Sequence, residues 1–428
     1  LYKTESTVLS MMNRLSGFDG LCVDERKHIY YNLLQYWLGI FDKFKPEVVI
    51  FPNMPHFVYD FIIYELAHFL DVKTIFFDET RIPGKLLLYE DLEKGSEDLL
   101  RELTQNKDKS FSFEDLSPDI QKYCRPRMTE TYKATPEYIL ELKKKYSFPL
   151  IRFTKLLVHD PKVKACLKDL TFIYKTPRYI YKNWLKNVRV ILTKLGKKIW
   201  WSLRYNLKNE YLKVQVSPDL SNPFVYVALH TQPERSTSPQ GEMFVDQILM
   251  LEILSAALSE NWVIYVKEHP MQWLSNGMGF SSTRYRGYYE RMAKIRNTYL
   301  IPVENNSYDL IRQSKLIATI TGAAAWESAL QLRPAIIFGR VWYENCPGIL
   351  RVQDVDSCRQ AIEKISRGWR IEKSEILNYL KCFDNASFPG FISWAVGQTC
   401  GVSRKESMCN ITKMILQKLE SFKQPYKS

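Results

Sequence analysis

No run of apolar residues in this 428-residue chain approaches the roughly 20 that a membrane-crossing helix needs. Leu1 to Thr7 has neither a basic opening nor a long apolar stretch, so export is not expected. Paired cysteine spacings are missing too. Cys22, Cys124, Cys166, Cys346, Cys358, Cys382, Cys400 and Cys409 lie scattered, which argues against a zinc site or a disulfide framework and reads as buried thiols in a reducing cytoplasm. No Asp-x-Asp is expected at a strand end, so neither a metal nor a bound cofactor is indicated. Internal repeats, low-complexity segments and recognised nucleic-acid motifs are absent as well. The chain opens at Leu1 rather than Met, and one expectation is a truncated start that has lost the first strand of an N-terminal lobe.

What is present describes a folded protein of two domains: 46% apolar, 25% charged and 14% aromatic residues over a length that exceeds one hydrophobic core. The net charge of +13 is concentrated. Between Lys162 and Lys213 stand 14 Lys and Arg against only Asp169 and Glu210. Trp184, Trp200, Trp201 and several tyrosines lie among them. Cations interleaved with such rings suit an anionic membrane surface, where each nearby cation adds about 1 kcal/mol, and Lys197, Lys198, Trp200 and Trp201 are the expected contacts. A solvated inter-domain helical connector is the plain alternative. Nucleic acid would accept the same surface, but without an accompanying motif it ranks behind both.

Along the chain, helical spacing over 1–15 and 25–44 precedes a short β-rich run at 47–51, a helix from about Asn53 to Leu70 and a strand at 73–77, which together make a βαβ unit. From 91 to 146 the sequence is polar, like a lobe margin. Beyond the basic stretch, strands at 224–229, 262–267, 298–301, 316–320 and 335–338 alternate with helices at 244–258, 288–296, 308–313 and 323–332. That order predicts a parallel doubly wound sheet. Helices near 357–366, 373–383 and 406–422 close the chain. The expected division is 1–150 for an N-terminal acceptor-side lobe, 151–215 for the basic connector, 216–400 for a nucleotide-sugar lobe and 401–428 for a terminal helix.

Ligands of a doubly wound sheet collect at the carboxyl ends of its strands, so the loops there carry the candidates. The first, His230-Thr-Gln-Pro-Glu-Arg-Ser-Thr-Ser-Pro-Gln-Gly241, packs an imidazole, an amide, a carboxylate and a guanidinium into one strand end; His230 and Glu234 are its catalytic candidates. The second, Lys267-Glu-His-Pro270, offers an ammonium and an imidazole to a phosphate. In the third, Thr321-Gly-Ala-Ala-Ala-Trp-Glu327, small residues open a helix start to a phosphate and Glu327 could accept from ribose hydroxyls. Close helix–sheet packing explains the same small residues equally well. Rings at Gly339 to Tyr343 could stack on a base or a sugar. His56 and Asp60, four apart on an expected helix, could act as a base and its partner or simply occupy a surface. His28, His68 and His159 read as structural.

In order, His-Thr-Gln-Pro-Glu, Lys-Glu-His-Pro, Thr-Gly-Ala-Ala-Ala-Trp-Glu-Ser-Ala-Leu and the Gly339–Tyr343 loop resemble the capsule polysaccharide biosynthesis family, in particular its β-Kdo transferase branch. The resemblance covers about Phe224 to Arg351. It implies a GT-B fold with a doubly wound parallel sheet in each of two Rossmann-like lobes, and bacterial transfer of Kdo or another nonulosonic acid from a CMP-linked donor, a co-substrate, to a surface glycan or glycolipid at the inner face of the membrane. It also implies that Gln232, Pro233, Lys267, His269, Pro270, Thr321, Gly322, Glu327 and Tyr343 bind the donor. A retaining outcome would need either a carboxylate nucleophile, for which Glu234 is the candidate, or a front-face route that uses the donor phosphate. The extension Arg235–Gly241 departs from the pattern at the sugar pocket. A CDP-alcohol (glycerophosphate) transferase and a non-catalytic membrane-associated scaffold remain as alternatives, with a UDP-sugar epimerase last.

Overall fold

The computed structural model describes residues 2–13, 21–132, 207–232, 234–273 and 284–423. Its N-terminal lobe opens with helices α1 (Tyr2–Met12) and α2 (Val23–Phe44), which pack on the expected βαβ unit: β1 (Val48–Ile50), α3 (Val58–Phe69) and β2 (Lys73–Glu79). β1 and β2 pair in parallel. The chain then turns through Thr80–Gly84, with Gly84 at φ +78°, into β3 (Lys85–Tyr89), which lies antiparallel to β2. A parallel return needs a crossover of a dozen or more residues, so the five-residue turn dictates the reversal. The sheet of this lobe is therefore mixed, parallel only within the βαβ unit, and in that detail departs from a doubly wound sheet. Helices α4 (Glu97–Gln105) and α5 (Pro118–Arg127) occupy the polar stretch read as a margin.

The C-terminal lobe begins at α6 (Lys208–Val214) and continues through β4 (Phe224–Ala228), α7 (Gln247–Ala257), β5 (Val263–Lys267), α8 (Tyr288–Ala293), β6 (Thr298–Leu300), α9 (Ser307–Gln313), β7 (Leu316–Thr319), α10 (Ala323–Leu330), β8 (Ala335–Ile337), β9 (Ile349–Arg351) and α11 (Val355–Ser366). All six strands are parallel, in the order β6-β5-β4-β7-β8-β9. The period of two is visible in β4: Val225 and Val227 enter the core with α7 and α11, while Phe224 and Tyr226 enter the opposite core with α9 and α10. Both faces are covered, which is why these strands read as nearly continuous apolar runs. Asp246 and Asn306 cap α7 and α9 with their side chains.

The last elements return to the first lobe. After α12 (Lys373–Ala386), strand β10 (Phe388–Pro389) joins the N-terminal sheet beside β3, and α13 (Trp394–Gly397) leads to α14 (Arg404–Lys423), whose Ile411, Met414 and Ile415 pack on that sheet. The buried Lys85 ammonium lies 3.0 Å from Asp119 and 3.3 Å from Asp384, and Ser117 donates to Asp384, so α12 is held by a charged cluster as well as by its apolar face. The expected boundary at 400 accordingly moves: residues 373–423 belong structurally to the N-terminal lobe. Likewise Tyr211, fully buried, places 207–215 of the expected connector inside the C-terminal lobe. The expected two-lobed arrangement stands, with the parallel doubly wound sheet in the second lobe. Among the described residues no helix is long and apolar enough to cross a membrane. Cys124, Cys346, Cys358 and Cys382 are buried as expected, whereas Cys22 and Cys409 are exposed.

Candidate active site

The strand order reverses between β4 and β7, and that switch point opens the crevice at which such sheets bind ligands. His230 sits across it. Its Nε2 accepts from the Thr321 backbone N–H at 3.1 Å and lies 3.1 Å from Thr319 Oγ1, while Nδ1 lies 3.2 Å from Ser236 Oγ. With both nitrogens engaged, the ring holds the two loops in register. The Thr321 hydroxyl donates to the Ser236 carbonyl, so this donor too is spent within the protein. Gly322 is the N-cap of α10, and a Cβ there would stand 2.6 Å from Thr319 Oγ1, a distance no side chain tolerates. Tyr343 does not offer its ring to a ligand as the sequence suggested: it is fully buried and donates to the Gly322 carbonyl at 2.5 Å.

A second buried network joins the His230 loop to the Lys267-Glu-His-Pro turn. Arg284 donates to Glu268 through Nε at 3.1 Å and Nη2 at 3.0 Å, to the His230 carbonyl at 2.9 Å and to Gln232 Oε1. Tyr289 donates to the same carboxylate at 2.6 Å. Gln232 is thereby structural as well, its amide nitrogen donating to the Val245 carbonyl at 2.6 Å. Sequence reading missed Arg284. Arg286 stands two residues on and is exposed, and nothing local distinguishes them.

Two polar groups of the turn face the crevice region. Lys267 ends β5 with its ammonium 2.8 Å from the Asn305 carbonyl and 2.5 Å from Ser307 Oγ. His269 accepts from the Met271 N–H at its Nδ1, at 3.2 Å, which leaves the proton of the neutral ring on Nε2 as a donor. Pro270 closes the turn, partly buried. Glu327, in the second turn of α10, is surrounded by charge and hydroxyls: Tyr308 hydrogen-bonds it, and Arg81, Arg127 and Lys267 act on it electrostatically. Arg81, on the N-terminal lobe just after β2, acts on His230, His269, Glu327 and Tyr343 alike. No motif marked it in the sequence.

Burial, with Arg81 and Arg284 nearby, pushes His230 down to about 3 and His269 down to about 4, whereas burial pushes Glu327 up to about 7 against the opposing pull of Arg81, Arg127 and Lys267. The signs differ. Each histidine is neutral when folded and gains a proton on unfolding, so its contribution is complete above pH 6.5 and is lost as pH falls towards its folded value. Glu327 contributes below about pH 4.5 and loses that contribution as pH rises to about 7. Each group changes stability by about 1.4 kcal/mol per pH unit, so two histidines outweigh one carboxylate. Between pH 6.5 and 4.5 this site is expected to lose roughly 1.4 kcal/mol per unit of acidification. In a His230→Gln variant the remaining pair should cancel. Melting temperatures of both proteins across that window test this; parallel curves would refute it.

The remaining candidates spread over the lobe interface. His56 does not stand on a helix with Asp60: α3 starts at Val58, His56 Nδ1 donates to the Met54 carbonyl at 2.7 Å, and Asp60 accepts from the Phe57 N–H in a helix cap. The sequence reading began that helix too early, because Asn53-Met-Pro forms the entry turn. Glu234 is exposed and accepts from the Ser236 hydroxyl at 3.3 Å. Its neighbour Arg235 crosses to the N-terminal lobe, 3.0 Å from the buried Asp78 and 3.2 Å from Asn53 Oδ1, so the extension ties the lobes together. Pro233, Lys197, Lys198, Trp200 and Trp201 lie outside the described residues. Asp354-Val-Asp356 does follow a strand, β9, unlike the sequence expectation, but Asp354 caps α11 and Asp356 pairs with Arg359. Among the described residues no three metal-ligating side chains converge.

Comparison with known proteins finds a family similarity over the stretch that holds the strand-end loops. Residues 167–370 match the capsule polysaccharide biosynthesis protein family. No curated protein matches the chain by sequence. Among solved structures, the β-Kdo 2,7 transferase KpsC of Thermosulfurimonas dismutans is 10% identical over 82% of this chain and 79% of its own, with a TM-score of 0.31. The UDP-GlcNAc 2-epimerase of Methanocaldococcus jannaschii is 14% identical over 82% and 77%, with a TM-score of 0.29. A spinosyn rhamnosyltransferase matches at 9% identity and TM-score 0.23; there the chain spans 43% of the relative's length and 41% of its own. Among the described residues, the loops after β4, β5 and β7 lie within the matched stretch and are joined at the crevice by the contacts of His230, Thr321 and Arg284.

Proposed function

We propose that the chain is a capsule-biosynthesis glycosyltransferase that moves Kdo or a related nonulosonic acid from a CMP-linked donor to a surface-polysaccharide or glycolipid acceptor. The observation that carries this reading is the grouping of Lys267, the Nε2–H of His269 and the N-terminus of α10 at Gly322 at the switch point, within the stretch that matches the family. In such a transfer the glycosidic C–O bond to the phosphate breaks and CMP leaves with one more negative charge than it carried in the donor. Lys267 and His269 meet that charge with a cation and a neutral donor, and helix dipole and backbone N–H groups add to it. Glu327 accepts from the ribose. His230, Gln232 and Arg284 position these groups without touching the substrate. The basic, aromatic stretch 162–213 holds the enzyme against an anionic membrane face.

Thermal-shift titration with CMP, CDP, UMP and UDP tests the reading, because a ligand bound only by the native state raises its melting temperature. CMP is expected to give the largest shift, and His269→Ala to abolish most of it. A shift with CDP alone would replace the nonulosonate donor by a CDP-alcohol, and no shift with any nucleotide would sink the transferase assignment.

A further inference from the structure

The turn Thr80–Gly84, at the carboxyl end of β2 in the N-terminal lobe, is closed by its own hydrogen bonds. The Thr80 N–H donates to the Lys85 carbonyl at 3.2 Å and the Lys85 N–H to the Ile82 carbonyl at 3.2 Å. The Thr80 hydroxyl lies 3.2 Å from the Ile82 carbonyl and 3.1 Å from that of Lys85. Thr80 and Ile82 are buried on either side of Arg81, which is itself exposed. A cation presented by a fixed backbone is preorganised for a ligand, since little of the turn has to be ordered on binding.

Two short links carry this turn to the crevice. Asp78, three residues before Arg81, accepts from Arg235 at 3.0 Å, and Arg235 also donates to Asn53 Oδ1 at 3.2 Å. The next residue, Ser236, lies 3.2 Å from His230 Nδ1, and its carbonyl accepts from the Thr321 hydroxyl at 2.8 Å. The turn is thereby apposed to the loops after β4 and β7. Electrostatics agree with that placement: Arg81 acts on His230, His269, Glu327 and Tyr343, which follow four different strands, and on Glu327 it outweighs Lys267. A charge felt by all four lies where they converge.

The buried carboxylates Asp78 and Glu268 are matched within the protein by Arg235 and Arg284. Arg81 and Lys267 bring two positive charges to the crevice from opposite lobes, which suits a ligand with two negative ones. In a CMP-linked ulosonate those are the phosphodiester and the carboxylate on the anomeric carbon of the sugar. The phosphate is met by the C-terminal lobe, through Lys267, His269 and the start of α10. The sugar, on the far side of the phosphate from the nucleoside, is the part left to face the other lobe.

Resting on the donor reading above, we infer that Arg81 binds the carboxylate of the transferred sugar and so selects acidic, ulosonate-type donors over neutral ones. The planar fork of a guanidinium meets both oxygens of a carboxylate at once, which an ester or a hydroxyl cannot match.

Isothermal titration calorimetry on the full chain tests this with three ligands. They are CMP, a phosphonate isostere of CMP-linked Kdo in which carbon replaces the bridging oxygen, and the methyl ester of that isostere, which differs only at the carboxylate. The acid is expected to bind the unmodified protein about tenfold or more tightly than the ester, the margin of a charge-assisted pair. Arg81→Gln should bring that ratio close to one and leave the affinity for CMP unchanged. Arg81→Lys, which keeps the charge and loses the fork, should retain part of the preference. Because Arg81 is exposed, neither variant is expected to change the melting temperature of the free protein. Acid and ester that bind alike to the unmodified protein overturn the inference, as does a preference that survives Arg81→Gln. Equal loss of CMP and of the acid in Arg81→Gln places the guanidinium on the phosphate and overturns it too. Failure of the unmodified protein to bind CMP overturns the donor reading and this role together, whereas normal CMP binding without preference for the acid removes only the role of Arg81.

Discussion

Arg284→Met is expected to lower the stability of the C-terminal lobe by about 3–5 kcal/mol, because it strips the cation from a carboxylate that has no access to water. Glu268 is 0% exposed and Arg284 3%. Five acceptors lose the guanidinium at once: both Glu268 oxygens, the His230 carbonyl, Gln232 Oε1 and the Tyr288 hydroxyl. Each is buried, so none is rehydrated in exchange. For a lobe of this size the loss corresponds to roughly 10 °C in melting temperature. The double variant Arg284→Met, Glu268→Gln should recover part of it, since removing both charges spares the unpaired one. Denaturant unfolding of the single and double variants makes the comparison. A single variant less than about 1 kcal/mol down would mean that the carboxylate finds another partner or a proton.

Lys267→Met should cut the rate of transfer by about 10²–10³-fold, the usual effect of deleting one preorganised group that meets charge formed in the transition state. Methionine keeps most of the stem volume, so β5 remains packed. The Asn305 carbonyl and Ser307 hydroxyl lose a partner, and a modest stability loss of about 1 kcal/mol accompanies the change. The informative readout is the split between constants. A fall in kcat with donor KM little changed places the ammonium on the leaving phosphate; a rise in KM alone would restrict it to ground-state binding.

Much of the second lobe was legible in one dimension. Strand runs such as Phe224–Ala228 and Leu316–Thr319 are apolar on both faces because helices cover both sides of the sheet, and the polar loops that follow them contrast sharply. The first lobe was harder to read. β10 is only two residues long, and Lys85 at the start of β3 carries a charge into the core that sequence patterning counts as surface. Its partners come from residues 119 and 384, so the reason it is tolerated is not local.

The site divides in the same way. His230, Lys267, His269, Gly322 and Glu327 were visible because each follows or ends a strand that the periodicity predicts. Their roles were not visible. Whether a histidine nitrogen is available depends on what the neighbouring loop places against it, and here Thr321 and Ser236 take both nitrogens of His230 while Met271 takes only one of His269. Arg81 and Arg284 are ordinary arginines in the sequence, and Arg235 stood out there only as part of its loop. They matter because folding brings them to buried carboxylates or to the crevice from remote segments.

By itself, then, the sequence determined the alternation of elements, the parallel second sheet and the strand-end loops at which chemistry can occur, since hydrophobic periodicity and turn residues act over a few neighbours. Only the tertiary structure decided which polar groups are consumed in holding those loops, which remain for a substrate and where the C-terminal helices dock. Those outcomes depend on hydrogen bonds and charges between residues tens to hundreds of positions apart, and no local pattern encodes such pairings.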